Sequence, residues 1–271
     1  MRFKHIFIIF IACFFVKINA QSTASKQITK FTIAAPQLDT LKTIWVYLPK
    51  NYQNSEKRYP VIYMHDAQNL FDASTSYVGE WQIDEYMDKL TNNESIIIGI
   101  EHGNEKRIDE LTPYIHEKYG GGKGEAYLTF IKNTLKPHID VVYKTKPDAA
   151  NTTIFGSSLG GLISFYGAIK YPETFGKAGV FSPSFWFSEK IFDLAQSTEI
   201  PESSMFYFLV GDQEGENMVP DQERMVALLK SKGVKDSQIK SHVIEGGKHN
   251  EALWSSHFAN AYQWLTSTNN N

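Results

Sequence analysis

The segment Asn151-Thr-Thr-Ile-Phe-Gly-Ser-Ser-Leu-Gly-Gly161 most constrains how this chain can fold. Its first half reads as a β-strand and the stretch after it, Leu159 to Lys170, as a helix, so the chain must turn sharply through a GxSxG sequence between the two. The register is fixed: Gly156 and Gly160 flank Ser158, whereas Ser157 would need glycine where Phe155 and Leu159 stand. Ser158 is therefore the candidate nucleophile. The flanking glycines are expected to leave space that Cβ atoms would fill on a strained elbow. Five letters recur by chance, so the rest of the chain has to supply a base, an acid and oxyanion donors.

Around this segment, short apolar, β-branched runs alternate with longer stretches of helical period, the pattern of an α/β domain with a mostly parallel sheet and helices on both faces. Eight strands are predicted, at 31–34, 43–48, 61–65, 95–100, 152–155, 178–181, 205–210 and 239–244. Helices are predicted at 82–90, 125–136, 159–170, 218–232 and 251–266, with a weaker one at 189–196. The first two strands are joined by too few residues for a parallel crossover and should form an antiparallel hairpin at the sheet edge.

The N-terminus differs from the rest. Arg2, Lys4 and His5 precede an unbroken apolar run from Ile6 to Val16, followed by Lys17-Ile-Asn-Ala20 and the polar Gln21-Ser-Thr23. This reads as a secretory signal peptide spanning residues 1–20, too short to cross a bilayer as a permanent anchor, which leaves 21–271 as a single catalytic domain in a secreted or periplasmic protein. Cys13 is the only cysteine, so the mature chain has no disulfide and no cysteine metal site; lipoprotein processing at Cys13 is the alternative to cleavage after Ala20. Cleavage removes three cations and no acid, moving the formal net charge from -3 to -6. A mildly acidic chain without a basic run is a poor nucleic-acid binder.

A serine hydroxyl becomes nucleophilic only beside a base, itself oriented by a carboxylate. His242, His249 and His257 stand downstream of Ser158. His249 occupies the loop Glu245-Gly-Gly-Lys-His-Asn250 after the last strand, at the carboxyl edge of the sheet, whereas His242 falls within that strand and His257 within the final helix. The acid should leave the preceding strand, where Val210-Gly-Asp-Gln-Glu-Gly-Glu216 offers Asp212, Glu214 and Glu216. Serine, acid, histidine is the α/β-hydrolase order. Oxyanion donors are expected at the backbone N–H of Leu159 and, in the loop Met64-His-Asp-Ala-Gln-Asn69, of Gln68. His65-Asp66 lacks a second histidine at ligand spacing, so neither metal nor cofactor is expected.

Further stretches stand out: Tyr59-Pro-Val-Ile-Tyr-Met-His-Asp-Ala-Gln-Asn-Leu-Phe71, Gly79-Glu-Trp81, Ser182-Pro-Ser-Phe-Trp186, and Gly246-Gly-Lys-His249 with Trp254. With the elbow, they resemble the α/β-hydrolase-superfamily esterases that include esterase D, enterochelin-type siderophore esterases and feruloyl or acetylxylan esterases. The resemblance covers nearly all of the mature chain. It implies a serine esterase, and it selects Glu214, three residues after Gly211, as the acid. Ala67 stands where relatives carry glycine, which predicts strain there if φ is positive. The implied substrate is a siderophore ester or an acylated carbohydrate, acetyl or feruloyl. An acyltransferase on the same residues and a non-catalytic binding scaffold are the rival readings. Trp81, Trp186 and Trp254 are candidate substrate-stacking residues or else core, and Arg107 either binds an anionic group or pairs at the surface with Asp109 or Glu110. Gly120 to Gly122 suggest a mobile loop near the cleft.

Overall fold

A computed structural model of the chain describes residues 22–267; the predicted signal peptide and Cys13 lie outside them. The strands are β1 (Ile28–Ala35), β2 (Thr40–Tyr47), β3 (Val61–His65), β4 (Ile96–Ile100), β5 (Ile115–His116), β6 (Gly120–Gly121), β7 (Thr152–Ser157), β8 (Lys177–Phe181), β9 (Met205–Gly211) and β10 (Ile239–Ile244). Eight of them form one sheet in the order β1-β2-β4-β3-β7-β8-β9-β10, and each overlaps one of the predicted runs. Pairing is antiparallel for β1–β2 and β2–β4 and parallel for every other neighbour, so β2 alone runs against the rest. The edge hairpin closes through a single turn at Pro36–Leu38 and Asp39. The little β5–β6 ladder occupies the glycine-rich stretch expected to be a loop.

The helices are α1 (Ile83–Met87), α2 (Arg107–Leu111), α3 (Gly124–Phe130), α4 (Lys136–Val142), α5 (Leu159–Lys170), α6 (Lys190–Ser197), α7 (Met218–Ser231) and α8 (Glu251–Thr266). None is long and apolar enough to cross a membrane. The helix drawn to Lys136 runs on to Val142 in spite of Pro137. A π-turn over Ile131–Leu135 joins α3 to α4, with the Lys136 N–H bonded to the Ile131 carbonyl five residues back. Proline lacks an N–H and its ring crowds the preceding turn; widening that turn lets the helix continue.

Alternation along the strands sorts the core into two layers. Val61 and Tyr63 point into the layer covered by α3 to α7, while Ile62 and Met64 point into the layer under α1 and α8. Strand residues buried on both faces are what a sheet sandwiched between helices requires. The connection after β3 leads to β4 on one side, and the chain then returns to place β7 on the other side of β3. Such a reversal of strand order opens a crevice at the carboxyl edge, between the loop after β3 and the turn after β7.

Candidate active site

β7 ends at Ser157 and α5 begins at Leu159, leaving Ser158 alone on the turn at φ 58° and ψ -122°. Residues with a side chain seldom adopt this conformation, and holding one there costs about 1–3 kcal/mol. The surroundings over-determine it. The Ser158 N–H donates to the Phe181 carbonyl at 2.9 Å, and the Ser158 carbonyl accepts from the N–H groups of Leu162 at 3.0 Å and Ser184 at 3.2 Å.

The glycine requirement differs from the expected one. A Cβ at Gly156 would stand 2.8 Å from the Gly160 carbonyl, and one at Gly161 would stand 2.6 Å from the Phe181 oxygen. At Gly160 the nearest atom would be His65 Cβ at 3.4 Å, an ordinary contact. The steric demand falls on 156 and 161, because Gly160, though buried, faces His65 and Asp66 at 3.4–3.6 Å, far enough for a methyl group. Gly161→Ala should therefore lose about 1–3 kcal/mol to overpacking, while Gly160→Ala should be neutral or slightly stabilising through helix propensity. Urea midpoints of the two variants check this, and equal losses would contradict it.

The loops after β9 and β10 are stitched together. Gln213 N–H donates to the Gly247 carbonyl at 2.9 Å, and Asp212 accepts from the Gly246 N–H at 2.8 Å through Oδ1. A Cβ on Gly211 would overlap the Gly247 backbone. This seam brings Glu214 to His249: Oε2 lies 2.8 Å from Nδ1, with the Glu214 side chain wholly buried. Its other oxygen, Oε1, accepts from the Gly211 N–H and from the Ser182 hydroxyl, both at 2.7 Å. Ser182 in turn accepts from the Trp254 indole N–H at 2.8 Å, and Trp254 lies edge-on against the His249 ring. A carboxylate accepting at Nδ1 fixes the proton there and leaves the Nε2 lone pair of neutral His249 as the basic site. Ser158 Oγ is 3.4 Å from Ser184 Oγ, and no hydrogen bond joins it to His249 among the described residues.

The loop after β3 carries its strain at Asp66 (φ 58°), and Ala67 enters a 3₁₀ turn without positive φ. The strain predicted at Ala67 is thus displaced by one residue. Ala67 Cβ is accommodated because Gly99 on β4 faces it; a Cβ there would stand 3.0 Å away. Asp66 is clamped by Arg107, Nε to Oδ1 at 2.7 Å and Nη2 to Oδ2 at 2.8 Å, and the guanidinium holds its carboxyl below the usual range against the opposing effect of burial. Arg107 does not pair with Asp109 or Glu110 as expected, because those acids hold Lys123 and the buried Lys42. With two of its nitrogens on Asp66, Arg107 braces the loop. Among the described residues the N–H groups of Leu159 and Gln68 have no hydrogen-bond partner, so both remain available as donors.

The three tryptophans separate. Trp81 is 3% exposed, stacks on Phe181 and lies beside Trp254, so it belongs to the α1–α8 core layer rather than to the aromatic cluster around Trp186. Trp254 is buried too, and acts through Ser182. Trp186 is 42% exposed and, two residues beyond Ser184, meets Tyr119 and His116 of the β5–β6 ladder to form an aromatic shelf. Sequence reading gave no role to Ser182 or Ser184, although both lie in the Ser182-Pro-Ser184 stretch it singled out. Ser182 carries a second signal in the structure, a positive φ of 43°.

The sheet and elbow define an α/β-hydrolase-like architecture. The chain belongs to the Putative esterase family, whose model matches residues 35–265, and it is a carboxylic ester hydrolase. An uncharacterized Bacillus subtilis protein, YbbA, is 28% identical over 237 residues, covering 83% of this chain and 92% of that one. A Xylanibacter ruminicola endo-1,4-beta-xylanase/feruloyl esterase is 26% identical over 237 residues, covering 84% of this chain but 30% of its own length. Among solved structures, the BES protein from Bacillus cereus superposes with a TM-score of 0.75 at 18% identity, covering 93% of this chain and 100% of that one. The enterobactin esterase of Shigella flexneri gives 0.69 at 15% identity, covering 90% and 61%. At these identities the two structures speak for the fold.

Proposed function

We propose that this chain is an exported serine esterase, active as one domain over residues 21–271, in which Ser158, His249 and Glu214 hydrolyse a carboxylic ester through an acyl-enzyme. The observation that carries this reading is the buried Glu214 carboxylate on His249 Nδ1, beside a strained serine elbow. His249 Nε2 takes the proton of Ser158 Oγ as Oγ attacks the carbonyl carbon. The N–H groups of Leu159 and Gln68 receive the oxyanion. Imidazolium then protonates the leaving alkoxide, and water repeats the cycle on the acyl-serine. Export rests on the basic and apolar start of the sequence, Arg2 to Ala20.

For the substrate, the exposed shelf of Trp186, Tyr119 and His116 favours a flat aromatic or sugar group. Of the siderophore esters and the acetyl or feruloyl carbohydrates expected from the sequence, this favours those with an aromatic acyl group, in line with the names of the enterobactin esterase and the feruloyl esterase among the relatives. A fluorophosphonate should label Ser158 alone, and a panel of acetyl, feruloyl and catecholate-serine esters should give its highest kcat/KM on an aromatic acyl ester. Labelling at another residue overturns the mechanism; preference for short aliphatic esters overturns the substrate class.

A further inference from the structure

We infer that Glu80, Asp84 and Glu85, at the start of α1, form a calcium site that fastens the segment before β1 to the body of the protein. One carboxylate oxygen from each residue lies within 4.8 Å of the others. Calcium–oxygen bonds of about 2.3–2.6 Å allow one ion to touch oxygens spread over about that distance. Asp84 is fully buried, yet its Oδ1 has no hydrogen-bond partner, and neither has the buried Oε2 of Glu85. None of the three acids forms a salt bridge among the described residues. Clustered carboxylates withdrawn from water need a cation or a proton to offset their repulsion. An all-carboxylate, irregular donor set suits a hard ion with flexible geometry, which is calcium more than magnesium.

The site's place in the fold gives it a task. Asp84 Oδ2 accepts from the Ser25 N–H at 2.6 Å, and Glu80 accepts from the Thr23 hydroxyl at 3.0 Å. Ser22 and Ser25 are held in the same way by Asp72 and Asp88. The segment entering β1 is therefore tied down through side chains that the ion would order. On its inner side Glu80 precedes Trp81, which packs on the Trp254 that supports Ser182. The sequence leads to the expectation of no metal in this chain, and the proposed site departs from it.

The test uses the mature protein stripped with chelator. Terbium emission excited through Trp81, which lines the same crevice as Glu85, should appear and be displaced by Ca²⁺. Ca²⁺ should raise Tm in a saturable way, with the folded-to-unfolded ratio increasing about 100-fold at free Ca²⁺ near 100 times Kd. Glu80→Gln and Glu85→Gln, at half-buried positions that tolerate an amide better than Asp84 does, should each weaken both effects at least about tenfold, as loss of a charged ligand requires. Magnesium should act far more weakly. No Tm shift at millimolar Ca²⁺, equal responses in wild type and both variants, or an equal response to Mg²⁺ overturns the assignment; the first outcome means that Asp84 and Glu85 share a proton instead.

Discussion

Ser158→Ala should lower kcat/KM for any ester substrate by about 10⁴-fold or more, because no other group can form the acyl intermediate and only oxyanion donation and binding remain. Ser158→Gly should be equally inactive but more stable. Alanine keeps the cost of the φ 58°, ψ -122° backbone, whereas glycine relieves it. The relief of about 1–3 kcal/mol is offset in part by the greater freedom of glycine in the unfolded chain, leaving a net gain of about 1 kcal/mol over the alanine variant. Initial rates on a chromogenic acetate and urea unfolding of both variants decide the matter. Activity in the alanine variant within tenfold of wild type would remove Ser158 as nucleophile. Equal stability of the two variants would show that the elbow stores no backbone strain.

The strain argument also explains which parts of this protein are legible in its sequence. Strands such as Val61–His65 and Ile96–Ile100 are short apolar runs between turn residues, a local signal that burial on both faces makes unambiguous. Ser158 is legible because the glycines two positions away on either side mark the elbow locally, although the bonds that hold its conformation come from Phe181 and Ser184. The acid is not. Asp212 and Glu214 occupy one loop with the same composition, and they part only in three dimensions, where Asp212 turns to the Gly246 N–H and Glu214 passes beneath Ser182 to His249. Arg107 has its partner 41 residues away in a loop, and the short helix that aims it has too little period to announce itself. Tryptophan letters carry no face, so Trp81 and Trp186 read alike although one is core and the other is shelf. Nor does the sequence separate Gly160 from Gly161, since the difference depends on the Phe181 carbonyl of a neighbouring strand.

The second large effect is expected at His65, under the elbow, as a dependence of stability on pH. His65 Nδ1 pairs with the Tyr127 hydroxyl at 2.8 Å, Nε2 is buried without a partner, and the ring packs where a Cβ on Gly156 would stand 2.8 Å from Cδ2. Burial pushes its pKa from 6.5 down to about 4, with Arg107 and Lys42 adding to the shift and Asp66 opposing it. Above about pH 6.5 the ring is neutral in both folded and unfolded chains and contributes nothing to the pH dependence. Between pH 6.5 and about 4 only the unfolded chain takes up the proton, so stability falls as pH falls, and below about 4 the whole penalty is present. At 1.36 kcal/mol per unit this amounts to about 3 kcal/mol. His65→Asn should be less stable than wild type at pH 7, since it opens a gap beneath Gly156, yet its loss of stability between pH 7 and 4 should be smaller by about 3 kcal/mol. Carboxylates that titrate in both proteins cancel in this difference. Urea unfolding at the two pH values reads it directly, and equal acid losses in the two proteins would mean that His65 is not held neutral. Because His65 supports the turn that carries Ser158, the same protonation should loosen the elbow, and activity should then be lost in acid along with the fold.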